Sequence, residues 1–527
     1  MHGLARYGRA YALWNQIPEP PPFLPHGWDS WSTHHHRAID EQTLLAELAV
    51  VREHLARYGW KHFAIDAGWA KARGDWTPDP AKFPRGLGPI VQAIHDAGMT
   101  AGLWVDPFTV DVDSELAAQH PDWLRPPNAR GRLLLGEGAR ILDVSRPDAY
   151  QWVYELARRI RQDWGFDALV EADFVYHLLL AEDYSDPTLT RVEVLQRGMR
   201  ALREGLGEGA FLMSMTPHPI TGLHADGVRT GRDNAPIWQG NALTGPWGAT
   251  ESLTNAVRRF YLSPHVFLPD QDVAFFDHEA TRARWNVQER PALSMAQSVA
   301  WLTGAALTGG AVKIGDAFSL LTPAQRGVLQ KLLPSARRPA RPLDLFDTDA
   351  PRLWHVPFET EAGVWHIVAA FNWDDGRGDA VLLPFERLGV LDSDYFTVYD
   401  FWEARYLGTA RGRLRIETPP GGVTLLGLRP YLDRPQFVAS NRHWAQGAMA
   451  LRAAAWDAAA GTWRGTFDAT PEHAYDLCFL VPEGWQVRGA TWDGRDTAAN
   501  PQGRTVRVLA DSGKGGEVEV VVRFARE

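Results

Sequence analysis

The sequence is nearly devoid of cysteine. A lone thiol, Cys478, cannot close an internal disulfide or build a thiolate metal cluster. No run of 18 apolar residues occurs, so no membrane-crossing helix is expected. The opening stretch MHGLARYGRAYALWNQIPEPPPF lacks a continuous apolar segment with a small-residue cleavage site. That disfavours a secretory signal and leaves a cytoplasmic, soluble protein as the expectation. Long basic runs are missing, and 54 Lys and Arg against 64 Asp and Glu give a net charge of −10. Nucleic acid and anionic membranes are therefore not expected partners. No GxGxxG or GxxxxGK[ST] follows a strand, and HExxH is absent, so nucleotide and zinc-helix fingerprints are lacking.

What is present is an ordinary globular composition, 45% hydrophobic and 22% charged over 527 residues. That length suits one barrel of about 250–300 residues with one or two smaller domains. The 23 tryptophans fit two readings, large core side chains or flat platforms for sugar rings. Composition alone does not choose.

Residues 1–24, with PEPPPF, read as an N-terminal arm. From 25 to 338, short apolar runs alternate with amphipathic stretches. The strand candidates are HGWDSW, KHFAIDAGW, TAGLWVDPF, FDALVEADF, FLMSMTP, DGVRTGRD, HVFLPDQD and ALTGGAVKIGD. Between the first two, Leu45, Leu48, Val51 and Leu55 recur at helical spacing. Eight strand–helix units predict an α/β fold, a (β/α)8 TIM barrel, with a doubly wound sheet as the alternative. After 338 the period shortens. An antiparallel β-sandwich over 339–430 and an accessory all-β domain over 431–527 are expected.

Barrel chemistry sits at the carboxyl ends of the strands. Those ends carry Asp29 and Trp31, Asp66 and Trp69, Trp104 and Asp106, Glu171 and Asp173, Arg229, Arg232 and Asp233, and Asp270 and Asp272. Any one such Asp also fits a helix cap or an arginine partner. As a set they form an acidic, aromatic mouth. Paired acids are what glycoside hydrolysis uses, one as nucleophile or base and one as proton donor. Weaker signals are His34, His35 and His36 as metal ligands or loop, His177 as pocket lining or packing, and Trp238 as leaving-group subsite or core. Gly309 and Gly310 read as close packing at the last strand.

At these residues the chain resembles the α-galactosidase clan, glycoside hydrolase families 27 and 36, with family 36 the better match. GWDSW is similar to the family's GWNSW, IDAGW to IDDGW, and GDWTPDPAKFPRGL to GDWxPDxxKFPxGL. AGMTAGLWVDP resembles GLxxGLWxEP; HPDW, ILDVSRP and YDFW also match, and RTGRD resembles the Arg-x-x-x-Asp motif. The likeness covers about 25–430, and the large N-terminal β domain usual in family 36 is missing. The resemblance implies a retaining α-glycosidase working by double displacement on a terminal α-linked sugar of a glycoside or oligosaccharide. It implies Asp173 as nucleophile and Asp233 as general acid/base. Trp31, Asp66 and Trp104 match positions that contact the sugar, and Arg229 one that orients hydroxyls or acids. No metal or organic cofactor is implied.

Two departures bear on specificity. The family's Lys-x-Asp is Glu171-Ala172-Asp173 here, and its paired aspartates are Asp66 and Ala67. Glu171 is therefore expected to line the sugar pocket in place of a lysine, accepting from a hydroxyl or pairing with an amino group. Alternatives stay open: an α-galactosaminide, α-N-acetylgalactosaminide or α-glucoside specificity, a transglycosylase, a metal-dependent hydrolase, or a non-catalytic carbohydrate-binding protein. Homo-oligomerisation also stays open.

Overall fold

The computed structural model describes residues 2–19, 24–216, 218–241 and 245–527, except the side chains of His2, His36, Arg37 and Val170. Eight parallel strands close into a barrel: β1 Gly27–Asp29, β2 His62–Ile65, β3 Thr100–Val105, β4 Ala168–Ala172, β5 Phe211–Ser214, β6 Gly227–Arg229, β7 Leu268–Ala274 and β8 Ala311–Ile314. These are the eight segments expected from the sequence. Neighbours pair in chain order, and β1 closes on β8 with Gly27 opposite Lys313.

Most of the strands are short and apolar because they are covered on both faces, while β7 also carries Asp270, Gln271 and Asp272 toward the mouth. β2 and β5 are buried at every position. Ala64, Ala168, Phe211, Met213, Met215, Leu268 and Ala311, from five strands, meet in one cluster. Burying each large side chain there contributes about 1.5–3 kcal/mol. Gly310 lets β8 begin against β7, since a Cβ there would lie 1.8 Å from the Pro269 carbonyl oxygen.

The helix Glu41–His54 starts where the Asp40 carboxylate accepts from the Thr43 N–H at 2.8 Å. Its inward stripe is Leu44, Leu48, Val51 and Leu55, so Leu44 takes the inner place expected for Leu45. Helix Arg191–Leu206 opens with a reciprocal cap between Thr190 and Glu193.

Two features differ from the sequence expectation. Residues His2–Trp14, read as an arm, form a helix whose Tyr7 ring lies 6.1 Å from that of Tyr261. Residues 20–23 of the proline-rich stretch lie outside the described residues. After β3 the chain adds a small antiparallel sheet from Thr109–Asp111, Leu124–Arg125 and Ala139–Leu142.

By contacts the chain divides into two compact units. The first is Met1–Ser294, Thr308–Thr322 and Arg337–Pro339, and contains the barrel strands. The second is Met295–Leu307, Pro323–Ala336 and Ala340–Glu527. It contains two eight-stranded antiparallel sheets, one from strands between 341 and 430 and one from strands between 436 and 526. Val368, Phe385, Phe396, Val398 and Leu428 fill the core of the first. Tyr399 of that sheet meets Val438, Ala439, Cys478 and Leu480 of the other. Burial pushes the Cys478 thiol up to about 12, so it packs as an inert apolar group. Among the described residues no helix is long and apolar enough to cross a membrane.

Candidate active site

The carboxyl ends of the strands converge on a small cavity of about 90 Å³. Asp173, Asp233, Trp31, Asp66, Trp104, Glu171 and Arg229, the seven residues singled out from the sequence, all line it. An open cleft of about 620 Å³ adjoins it, walled by Tyr176, Trp247, Trp285 and Arg259. Asp173, Phe174, Arg229 and Asp233 line both spaces, so the two aspartates stand where the pocket meets the cleft.

β4 positions the first acids. Glu171 and Asp173 are two residues apart and so face the same side of the strand. The Asp173 N–H donates to the Val105 carbonyl at 2.9 Å, extending the ladder to β3. Its carboxylate accepts from the Phe174 N–H at 2.7 Å and the Trp104 Nε1–H at 3.3 Å. Phe174 is left-handed, with φ 48°, and stacks on His177 at 4.9 Å. His177 is a packed support held by Thr109 at 2.8 Å, and burial lowers it to about 4. It does not line the pocket.

β6 and β7 position the second acid. Arg229 Nη2 lies 2.7 Å from Asp233 and 2.8 Å from Asp272. The residue after Asp233 is fastened to β7: the Asn234 N–H donates to Asp272 at 2.6 Å, and its amide to the Gln271 and Val273 carbonyls at 2.8 and 2.9 Å. Asp233 is thus an exposed carboxylate on a fixed stem, 60% accessible, beside an arginine that is only 7% accessible.

β8 supplies a residue that sequence reasoning missed. The buried Lys313 ammonium lies 3.0 Å from Glu171 and 2.9 Å from Asp270. The signal was there, one lysine inside the otherwise apolar strand AVKI. A cation next to residue 171 therefore comes from β8, while β4 contributes an acid.

β1 and β2 bring carboxylates alone. Asp29 accepts from the Trp31 N–H at 2.8 Å through one oxygen, and its other oxygen is buried without a partner. The Asp66 and Glu171 carboxyls are hydrogen-bonded to one another. Among the described residues, Asp29, Asp66 and Glu171 form the one group of acid or histidine ligand atoms close enough to share an ion, all within 4.8 Å.

The electrostatics follow from this crowding. Burial, with Glu171 adding, raises Asp29 to about 8, and burial beside Asp29 and Glu171 holds Asp66 well above the carboxylate range. Asp173 rises to about 8 through burial and then the charges of Asp233 and Glu171. Asp272 rises to about 7 by burial, against the pull of Arg229. For Lys313 and Arg229 burial works against the charge, but the surrounding carboxylates outweigh it and both are raised.

Other residues named from the sequence fall elsewhere. Asp106 is fully buried and accepts from the Thr109 N–H at 3.1 Å. His34 packs edge-on against Trp28 at 5.6 Å, and His35 stacks on Trp31 at 4.6 Å, while the His36 side chain lies outside the described residues. Trp238 is buried away from the cleft, whose aromatic walls are Trp247 and Trp285. Gly231 leaves room for the Trp247 indole, which a Cβ there would approach to 2.1 Å.

Comparison with known proteins agrees with this architecture. Residues 29–178 match the family model described as Melibiase. The α-galactosidase of Escherichia coli is 34% identical over 110 residues, 20% of this chain and 15% of that one. The A type blood alpha-D-galactosamine galactosaminidase of Flavonifractor plautii is 29% identical over 194 residues, 34% of this chain and 17% of that one. The alignments span 13–19% of the length of the curated relatives. Among solved structures, the α-galactosidase of Thermus thermophilus in complex with p-nitrophenyl α-D-galactopyranoside superposes with a TM-score of 0.50 at 27% identity. That superposition covers 66% of this chain and 68% of the other. A barrel closed in chain order, acids converging at its carboxyl mouth and the Melibiase match over residues 29–178 are the features in which this chain is similar to the α-galactosidase clan of glycoside hydrolases.

Proposed function

We propose that the chain is a retaining glycosidase that removes a terminal α-linked, galactose-type sugar by double displacement, with Asp173 as nucleophile and Asp233 as general acid/base. The observation that carries this reading is the placement of both aspartates where the small pocket meets the wider cleft. A sugar ring in the pocket turns its anomeric carbon toward that boundary, and the leaving group extends into the cleft.

In the first step an Asp173 oxygen bonds to the anomeric carbon, the glycosidic bond breaks, and Asp233 gives its proton to the departing oxygen. In the second step Asp233 takes a proton from water, the water oxygen bonds to the anomeric carbon, and the Asp173 ester breaks. The Phe174 N–H and Trp104 Nε1–H hold the Asp173 carboxylate, and Arg229 holds Asp233. Asp173 must lose its proton before it attacks, so its elevated value makes the nucleophile the limiting acid on the low-pH side.

The relatives act on more than one sugar by their names, α-galactosides in one case and an α-galactosamine in another, so clan membership leaves the sugar open. The test is the anomer of the first product released from an aryl α-glycoside, read by proton NMR with Asp173→Asn as blank. The α-anomer, appearing only with the intact enzyme, is expected. An initial β-anomer, or equal turnover by the blank, would overturn the reading. Product analysis at high substrate separates hydrolysis from transfer to a second sugar.

A further inference from the structure

The sugar pocket has more carboxylates than cations, and the surplus is on one side. Lys313 is shared by Glu171 and Asp270, and Arg229 by Asp233 and Asp272. Asp29 and Asp66 make no ion pair among the described residues, though each is only 3% exposed and lines the pocket. One oxygen from each of Asp29, Asp66 and Glu171 lies within 4.8 Å of the others. A second observation bears on this site: Asp29 Oδ2 is buried without a hydrogen-bond partner among the described residues. Such an atom is costly unless something donates to it.

The chemistry of that guest is constrained. Three acceptors around one ammonium, each at hydrogen-bond length, stand about 4.6 Å apart. One oxygen of each of the three carboxyls lies within 4.8 Å of the others, inside the reach of one such group. The matching clan motifs have Asn at residue 29 and Lys at residue 171. Asp29 adds a negative charge where the clan has a neutral amide, and Glu171 puts an acid where it has a cation, while Ala67 removes one carboxylate.

Resting on the retaining-glycosidase reading, we propose that Asp29, Asp66 and Glu171 form a recognition site for a protonated amino group on the sugar, so that the substrate class is an α-linked amino sugar with a free amine. The substrate then supplies the cation that this side of the pocket lacks. Its charge also favours the ionised form of Asp173, which the empty pocket holds protonated at neutral pH. Binding of the ammonium displaces a proton from the triad, whereas a neutral sugar leaves it in place.

The experiment compares p-nitrophenyl α-D-galactosaminide with the α-N-acetylgalactosaminide and the α-galactoside at pH 7. The wild-type kcat/KM is expected to favour the free amine by about 10- to 100-fold, the range of a hydrogen-bonded charge. Glu171→Gln and Asp29→Asn are each expected to lose most of that preference. Asp173-dependent turnover with the neutral galactoside preferred would overturn the amine site and leave the glycosidase reading intact. If none of the three is turned over, titration calorimetry of wild-type protein with free galactosamine and free galactose decides, run in two buffers of different ionisation enthalpy. Tighter galactosamine binding with proton release supports the site, and equal binding without proton release overturns it. Titration with calcium chloride alone is the further arm. Micromolar calcium binding lost in Glu171→Gln would overturn the proposal in favour of a metal site.

Discussion

The two halves of the barrel mouth solve the same problem differently. On the β6, β7 and β8 side, acids are matched to buried cations, with Arg229 between the exposed Asp233 and the buried Asp272, and Lys313 between the buried Glu171 and Asp270. On the β1 and β2 side, Asp29 and Asp66 are buried and make no ion pair among the described residues. A buried charge without a partner moves toward its neutral form, and both groups are raised accordingly. The first half is settled in the empty protein. The second is neutralised by protons that a ligand can replace.

The largest expected effects fall on the acids between the halves. Asp173→Asn and Asp233→Asn should each lower kcat/KM by at least ~10³-fold, about 4 kcal/mol of transition-state stabilisation. Steady-state kinetics on an activated aryl glycoside checks this, and near-wild-type activity in either variant would remove its assigned role.

Next is the settled half against the unsettled one. Lys313→Met leaves Glu171 and Asp270 facing each other in a buried site and should cost about 3–5 kcal/mol in denaturant unfolding. Asp29→Asn removes a carboxyl already held neutral and should cost less than about 1 kcal/mol. Equal losses in the two variants would erase the distinction between the halves.

The pH dependence sharpens it further. Asp29 releases its proton near 8 in the folded chain but at about 3.9 when unfolded. Between those values the folded state binds more protons, so stability falls as pH rises through the window. Thermal melts of the empty protein should be higher at pH 5 than at pH 8, and Asp29→Asn should flatten the slope. The activity limb runs the other way. With a neutral galactoside, kcat/KM should climb as pH rises toward about 8, because Asp173 must ionise. A limb near 4 would contradict the burial of Asp173.

The smallest effect belongs to the outer cleft. Trp285→Ala should reduce kcat/KM for oligosaccharide leaving groups by up to about 10-fold, one aromatic contact, and leave a glycosyl fluoride unaffected. Parallel kinetics on the two substrates provides the check.

The barrel was legible because its strands are short, mostly apolar runs of three to seven residues, several with Asp, Trp or Arg at or just past the carboxyl end. The residues that line the pocket were legible because those ends meet once the sheet closes. Asp173 and Glu171 could be placed on one face from spacing alone. Lys313 could not be placed beside Glu171, because residues 142 positions apart meet only across the barrel interior. The small sheet after β3 escaped because strands such as Leu124–Arg125 are too short to show a period. The N-terminal helix escaped because its support is tertiary. Gly8 lies against the Tyr261 carbonyl oxygen, which a Cβ would approach to 1.7 Å. The tryptophans divided between both readings: Trp28, Trp60, Trp69 and Trp76 are core, while Trp31 and Trp104 face the pocket.

The pocket and the cleft have four lining residues in common, Asp173, Phe174, Arg229 and Asp233. Everything else about the two spaces is encoded by different positions. A mutational library over Asp29, Asp66, Ala67 and Glu171 therefore explores which sugar is accepted, and a separate library over Tyr176, Trp247, Arg259 and Trp285 explores what the sugar is attached to. Lineages drifting in one set keep the reaction and the other set unchanged. A single scaffold can in this way retune donor and acceptor independently, one partition of residues at a time.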